Sequence, residues 1–143
     1  MNHHSRPLFN DIFNLVPENL KIRVTLSGDV KSRLSKYEGN YVLAPDDLVN
    51  GEAFWNSEDG ANSLWYDKIW QNWKIGPVGN RGSSTATFLT TKGTAEDGLP
   101  HEIKPWKQNV GGEWTASDDI VVEGRTKIVS LLIRISNLMH TTF

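Results

Sequence analysis

Tryptophan is concentrated in one short stretch of this chain, and that stretch limits what the chain can fold into. Trp65, Trp70 and Trp73 lie within nine residues, which is half of the six tryptophans in the 143-residue sequence. Burying one such side chain removes roughly 150–250 Å² of surface from water, so a domain of this size can use it as a core anchor. We interpret residues 64–76 as the centre of a small β-rich module.

The residues around this centre favour strands. Aromatic side chains are typical of strands, and Gly76-Pro77 directly afterwards breaks any helix, although a helix over Ser63–Lys74 is the alternative. We expect a hairpin turn within residues 66–69, followed by a strand whose side chains alternate between two faces. The first face then carries Ile69, Gln71, Trp73 and Ile75, and the second carries Trp70, Asn72 and Lys74. This pattern predicts Trp65 and Trp73 in the core and Trp70 exposed.

Short strand-like segments recur along the rest of the chain. Residues 20–26 alternate apolar and polar side chains, and Asn50-Gly51 is a strong hairpin-turn signal ahead of a strand at 53–55. The stretch Gly28–Lys36 reads as a polar loop, and Gly111-Gly112 as a tight turn. We predict a mainly β fold: a small antiparallel barrel or sandwich of about six to eight short strands, with short helix-like segments at both termini.

Three regions are expected from the change in pattern. Residues 1–19 form a helix-like lead-in that Pro17 ends, and residues 20–123 form the tryptophan-rich β domain. Residues 124–143 form an amphipathic segment that packs on the domain or self-associates. A long strand over Lys127–Ser136 is the alternative for this segment. Its apolar residues at helical spacing are Ile128, Leu131, Leu132, Ile135, Leu138 and Met139.

Several aromatic and glycine motifs between about residues 26 and 122 occur in a familiar order. They include Tyr37-Glu38-Gly39-Asn40-Tyr41, Asn50-Gly51 with Phe54-Trp55, Leu64-Trp65-Tyr66-Asp67, Trp73-Lys74-Ile75-Gly76, Trp106 and Gly112-Glu113-Trp114. This order resembles a small tryptophan-rich β module, often repeated in multidomain eukaryotic proteins and of unassigned function. The resemblance covers about two-thirds of the chain and implies a recognition or spacer domain. It implies no catalytic residue.

Composition argues against several classes of function. The net charge is -2, and basic residues are scattered, so we expect no nucleic-acid partner. The chain has no cysteine, its histidines are not spaced as metal ligands, and no apolar run is long enough to span a bilayer. We therefore expect no metal and no cofactor. Without a signal-peptide pattern at Leu8–Val16, the expected compartment is the cytoplasm.

The aromatic excess points to binding more than to catalysis. No nucleophile motif accompanies His101 or His140, so we predict no catalytic residue. The main hypothesis is a non-catalytic module that binds a peptide, a protein or a carbohydrate through exposed aromatic side chains. The candidate ligand-binding residues are Tyr66, Trp70, Arg81 and Trp106. The alternative is a structural or assembly module that uses the apolar C-terminal segment. A third hypothesis is a small hydrolase that uses a carboxylate pair.

Overall fold

The protein is mainly β, as its sequence predicts. A computed structural model describes residues 16–90 and 98–126, and in these ranges it contains nine strands, one α-helix and two 3-10 helices. The elements are β1 (Lys21–Leu26), α1 (Gly28–Leu34), 3-10 helices at Ser35–Tyr37 and Val78–Asn80, β2 (Gly39–Leu43), β3 (Trp55–Ser57), β4 (Asn62–Asp67), β5 (Asn72–Pro77), β6 (Phe88–Thr90), β7 (Trp106–Val110), β8 (Glu113–Ala116) and β9 (Ile120–Arg125). The expected six to eight strands was therefore too few.

All nine strands form one antiparallel sheet, in the order β8-β7-β6-β5-β4-β3-β2-β1-β9. The chain meanders from β1 to β8, and β9 then returns to pair with the other edge of β1. Only Ser117, Asp118 and Asp119 connect β8 to β9, although these strands are the two edges of the sheet. Such a connection spans at most about 14 Å. The sheet must therefore curl until its edges approach each other, which gives a half-barrel.

The inner face of the curled sheet carries the hydrophobic core. Trp55 and Trp73 meet edge to face with ring centroids 5.9 Å apart, and Tyr66 packs against Trp73 at 5.3 Å. Trp73 is 0% exposed in this core, and Trp65 is also 0% exposed but lies outside this cluster, so both side chains are buried as predicted. Further buried members of this core are Ile22, Val24, Leu26, Tyr41, Leu64, Ile75, Phe88, Trp106, Ile120 and Val122.

Four buried tryptophans bind loops to the sheet through their indole N–H groups. A buried N–H group requires an acceptor, and each of these finds a backbone carbonyl outside the strands. The donor–acceptor pairs are Trp55 to Leu20, Trp65 to Ser83, Trp73 to Gly98 and Trp106 to Pro100, at 3.0, 3.0, 3.0 and 3.2 Å. Trp65 lies on the outer face, since its strand partner is Lys74 and not a core residue. Loops therefore cover parts of both faces.

The prediction of a polar loop over Gly28–Lys36 was wrong, because α1 occupies most of it. Only Val30 of α1 is buried, and the helix is seven residues long, so its apolar periodicity was too short to recognise. Tertiary contacts hold it in place. Arg33 Nη2 donates to Gln108 Oε1 on β7 at 2.7 Å, and Ser27 N donates to the Asp119 carbonyl at 3.0 Å. The α1 region therefore links β1 to β7 and to the β8–β9 connection.

Two predictions concern residues that lie mostly outside the described ranges, namely the helix-like lead-in over 1–19 and the apolar C-terminal segment over 124–143. Gly124 and Arg125, which were assigned to the C-terminal segment, belong to β9, and the helical spacing expected from Ile128 onward lies outside the described residues. The self-association proposed for that segment stays a prediction, as do the three regional boundaries. The described sheet itself begins at Lys21 and ends at Arg125.

Replacing Trp73 tests whether the aromatic cluster supports the fold. Trp73→Ala is expected to lower the free energy of unfolding by about 3–5 kcal/mol, because it leaves a large cavity in the core. The matched change Trp70→Ala, at a side chain that is 61% exposed, is expected to lower it by less than about 1 kcal/mol. Urea unfolding followed by circular dichroism measures both. Equal losses at the two positions would contradict this assignment of core and surface.

Candidate functional site

The β4–β5 hairpin places Trp70 on an exposed turn. β4 ends at Asp67 and β5 begins at Asn72, so residues 68–71 form the turn. Asp67 Oδ1 accepts the backbone N–H groups of Ile69 at 2.9 Å and Trp70 at 3.2 Å, and Gln71 has a positive φ of 55°. The carboxylate thus supplies the acceptors that a partner strand would otherwise provide.

This turn corrects two expectations from the alternation of side chains. The turn lies two residues later than expected, and Ile69, expected on the core face, is 83% exposed. Trp70 is 61% exposed as predicted, but it lies in a turn and not on the outer face of a strand. Side chains alternate between the two faces only from Asn72 onward. Residues 69 and 70 donate their backbone N–H groups to the Asp67 carboxylate and therefore do not take part in strand pairing.

An open groove of about 440 Å³ lies on the outer face of the sheet next to this turn. The strand register defines its floor: Lys74 pairs with Leu89, and Leu89 pairs with Lys107, so the three form one row across β5, β6 and β7. Neighbouring Ile75 and Phe88 point to the core instead. The residues lining the groove are Trp70, Asn72, Lys74, Ser84, Leu89, Thr90, Lys107 and Trp114.

A buried ion pair forms one end of the groove floor. Lys74 is 1% exposed and Asp67 is 3% exposed. Lys74 Nζ lies 3.1 Å from Asp67 Oδ2 and donates to Asn72 Oδ1 at 2.6 Å. The face of β5 that carries Asn72 and Lys74 is therefore buried as well. Its charges are tolerated because each has a partner.

The pKa values of this pair follow from burial and from hydrogen bonding. Burial alone raises the pKa of Asp67, but the Trp70 backbone N–H and the Lys74 ammonium outweigh it, and the pKa is lowered. Burial lowers the pKa of Lys74, and the Asp67 carboxylate offsets part of this effect. Asp67 therefore stays ionised at neutral pH, where it holds both the turn and the lysine.

The four residues predicted to bind a ligand do not come together. Trp70 lines the groove, but Tyr66 and Trp106 are 5% and 2% exposed and pack in the core. Arg81 is exposed elsewhere: its guanidinium stacks over the Phe54 ring at 4.7 Å and donates to Asn56 Oδ1 at 2.9 Å. In this arrangement, Trp70 is the member of the set that presents surface to the groove.

Trp114 is a groove residue that the sequence reasoning missed. It is 38% exposed and lies on the edge strand β8, where it pairs with Asn109. The Gly111-Gly112 turn was the available signal. A two-residue turn pairs residue 109 with 114, which places Trp114 on the face opposite Trp106. Counting alternation across the turn would have identified a second exposed indole.

A second cavity of about 400 Å³ lies near the β8–β9 connection. It is lined by His101, Trp106, Asp118 and Glu123, among others. His101 packs against Gly124, where a Cβ would collide with the imidazole ring. Its Nδ1 is buried and has no hydrogen-bond partner among the described residues, so no carboxylate orients the ring there as a catalytic triad requires. This cavity does not favour the hydrolase hypothesis.

Comparisons with known proteins assign this chain to no family. No protein-family model, curated protein or solved structure shows significant similarity to this chain. The resemblance to a tryptophan-rich β module therefore stays a prediction. Within residues 16–90 and 98–126, no group of three or more acidic or histidine side chains could hold a metal ion. The helices described there are too short to cross a membrane.

Breaking the buried ion pair is expected to destabilise the fold. Asp67→Asn keeps an oxygen that can accept the turn N–H groups but leaves the Lys74 ammonium unpaired, so the free energy of unfolding is expected to fall by about 3–5 kcal/mol. Adding Lys74→Met should recover part of that loss. Asp29→Asn is the control, because its pair with Arg33 is exposed and contributes about 1 kcal/mol or less. Urea unfolding measures the free energy of unfolding of each variant. If the loss in the double variant equalled the sum of the losses in Asp67→Asn and Lys74→Met, the two side chains would not be coupled.

Acid is expected to destabilise the protein partly through His101. Burial lowers the pKa of His101 in the folded state, with Glu102 opposing the effect. Below the unfolded-state pKa of about 6.5, the unfolded chain binds a proton that the folded chain excludes. Stability that is fully present above that pH is then lost as the pH falls toward the folded-state pKa. Between about pH 7.5 and about pH 5, His101→Gln should lose less unfolding free energy than the parent protein. Equal losses of unfolding free energy in the two proteins would show that His101 does not contribute to the acid sensitivity.

Proposed function

We propose that this protein is a non-catalytic binding module that recognises an oligosaccharide in the groove between Trp70 and Trp114. The observation that carries the proposal is the exposure of two indole rings at a groove that also presents a lysine and a serine. Large apolar side chains grouped at a surface depression are typical of interaction sites. The apolar C–H faces of a sugar ring can stack on such indoles, while its hydroxyl groups reach hydrogen-bonding side chains.

The polar groups of the groove suit a hydroxylated ligand. Ser84, which is exposed, and Lys107, which is half-buried, offer a hydroxyl group and an ammonium group in the lining. Asn72 and Lys74 belong to the same lining but are 7% and 1% exposed, and a hydrogen bond of 2.6 Å fixes them to each other. A groove that is fixed in advance loses little entropy on binding, which favours affinity.

A peptide fits this surface less well than a saccharide does. Extended peptides commonly bind by adding a strand to a free sheet edge, where backbone groups are unpaired. The groove floor instead lies on the face of β5, β6 and β7, whose backbones are paired with each other and, through β7, with β8. A ligand on this floor meets side chains and not backbone. Peptide binding is therefore the competing outcome in the experiment below.

The described lining of the groove contains no carboxyl group that could cleave a glycosidic bond. Hydrolysis of that bond generally requires two carboxyl groups about 5–10 Å apart that flank it. The described groove lining contains two lysines and no aspartate or glutamate. Asp67 lies behind Lys74 and is occupied by the ammonium and the turn. The described lining therefore favours binding over hydrolysis.

Removing either indole is expected to weaken oligosaccharide binding. Trp70→Ala and Trp114→Ala should each lower the affinity about tenfold, which corresponds to an aromatic contact of about 1.5 kcal/mol. Calorimetric titration with a panel of neutral and acidic hexasaccharides measures this. Ile69→Ala is the matched control, because Ile69 is 83% exposed on the same turn but does not line the groove.

Two outcomes would overturn the proposed function. One is the absence of binding to every hexasaccharide by a protein whose unfolding curve shows it to be folded. The other is binding of a peptide library that depends on Trp70 in place of saccharide binding. A loss of affinity in Ile69→Ala equal to that in Trp70→Ala would show that the effect comes from the turn and not from the indole.

A further inference from the structure

The groove floor contains two lysines, of which Lys74 has a buried carboxylate partner and Lys107 has none among the described residues. Lys74 and Lys107 lie on either side of Leu89 in one row of the sheet. Their backbones are two strands apart, about 9.5 Å by the usual spacing of neighbouring strands. The apolar Leu89 lies between them in this row.

Lys74 does not attract a ligand anion. It is 1% exposed, its Nζ donates to Asn72 Oδ1 at 2.6 Å, and the same Nζ lies 3.1 Å from Asp67 Oδ2. The Asp67 carboxylate already balances the Lys74 charge. Lys74 therefore forms part of the groove floor and leaves the selection of charge to Lys107.

Lys107 contributes the uncompensated charge. It is half-buried in the groove lining and makes no hydrogen bond or ion pair within residues 16–90 and 98–126. Its neighbours in the sheet register are Leu89 and Ala116, neither of which is charged. A partly buried ammonium without a partner loses hydration without recovering it. An anionic group from a ligand would supply the missing interaction.

We propose that the saccharide bound in this groove is acidic, and that its carboxylate pairs with Lys107 above Leu89. The inference rests on the proposed function. Trp70 and Trp114 provide the stacking surfaces, and Lys107 selects the charge. Charge-assisted hydrogen bonds to a carboxylate are roughly twice as strong as neutral ones. A neutral sugar would leave Lys107 unpaired, so the groove discriminates between an acidic sugar and its uncharged counterpart.

Methyl esterification tests the charge without changing the sugar. Hexasaccharides of galacturonate, of mannuronate and of hyaluronan are titrated calorimetrically, each beside its methyl ester. The acid of at least one pair is expected to bind about tenfold more tightly than its ester, as a charged hydrogen bond predicts. Raising the salt concentration to about 1 M, where the Debye length is about 3 Å, should reduce that preference.

Two variants test whether Lys107 causes the preference for the acid over its ester. Lys107→Gln is expected to bring the affinity for the acid down to that for the ester. Lys68→Gln is the matched control, since it removes the same charge from the adjacent turn but does not line the groove, and it should keep the preference. A preference that survives in Lys107→Gln, or disappears equally in Lys68→Gln, overturns the inference.

The failure of this inference can be separated from the failure of the proposed function. If an acid and its ester bind with equal affinity and both depend on Trp70, the groove binds saccharides but does not select charge, and the inference is wrong. If neither member of any pair binds, and no neutral hexasaccharide binds either, the proposed function itself is wrong. Circular dichroism on each variant establishes that a loss of binding is not a loss of fold.

Discussion

A buried indole must place its N–H group against an acceptor, and this requirement organises the molecule. Strand backbones are already paired in the sheet, so the acceptors come from loops: the carbonyls of Leu20, Ser83, Gly98 and Pro100. Each buried tryptophan thus packs its ring against the sheet and fixes one connecting segment with its nitrogen. The loops are positioned by the same residues that fill the interior.

This constraint extends to the candidate site. Trp65 is buried on the outer face, and its bond to the Ser83 carbonyl holds the segment that presents Ser84 to the groove. Nearby, Asp67 holds the turn that presents Trp70 and also pairs with Lys74. Buried ion pairs add little net stability compared with apolar side chains. We infer that this pair is retained because it fixes the turn and the groove floor relative to each other.

Local patterns in the sequence were sufficient for the fold class and for the core. Alternation and aromatic content identified the β-rich module, and Trp65 and Trp73 are buried as expected. Ile69 was misplaced because a side-chain carboxylate, and not the strand ladder, sets the conformation of its turn. α1 was missed because contacts such as Arg33 with Gln108, 75 residues apart in sequence, hold it, and a local window cannot detect them.

The candidate site could be predicted only in part, because it depends on how distant strands align. Trp70 was identified as an exposed indole, but most of the other groove residues lie on strands whose register cannot be read from the sequence. Lys74, Leu89 and Lys107 form a row only once β5, β6 and β7 are aligned. A one-residue shift in that alignment would send each side chain to the opposite face. Residue types alone therefore suggested Tyr66 and Trp106, which the register places in the core.

The pairing of β1 with β9 has a consequence for how the chain reaches its native state. Lys21 lies opposite Arg125, so the first and last strands of the sheet meet across about a hundred intervening residues. During synthesis, the edge of β1 that pairs with β9 stays unpaired until β9 has left the ribosome. Unpaired edges invite association with other chains, and contacts this distant in sequence form slowly. The nascent protein is therefore expected to be vulnerable to aggregation until β9 has been synthesised.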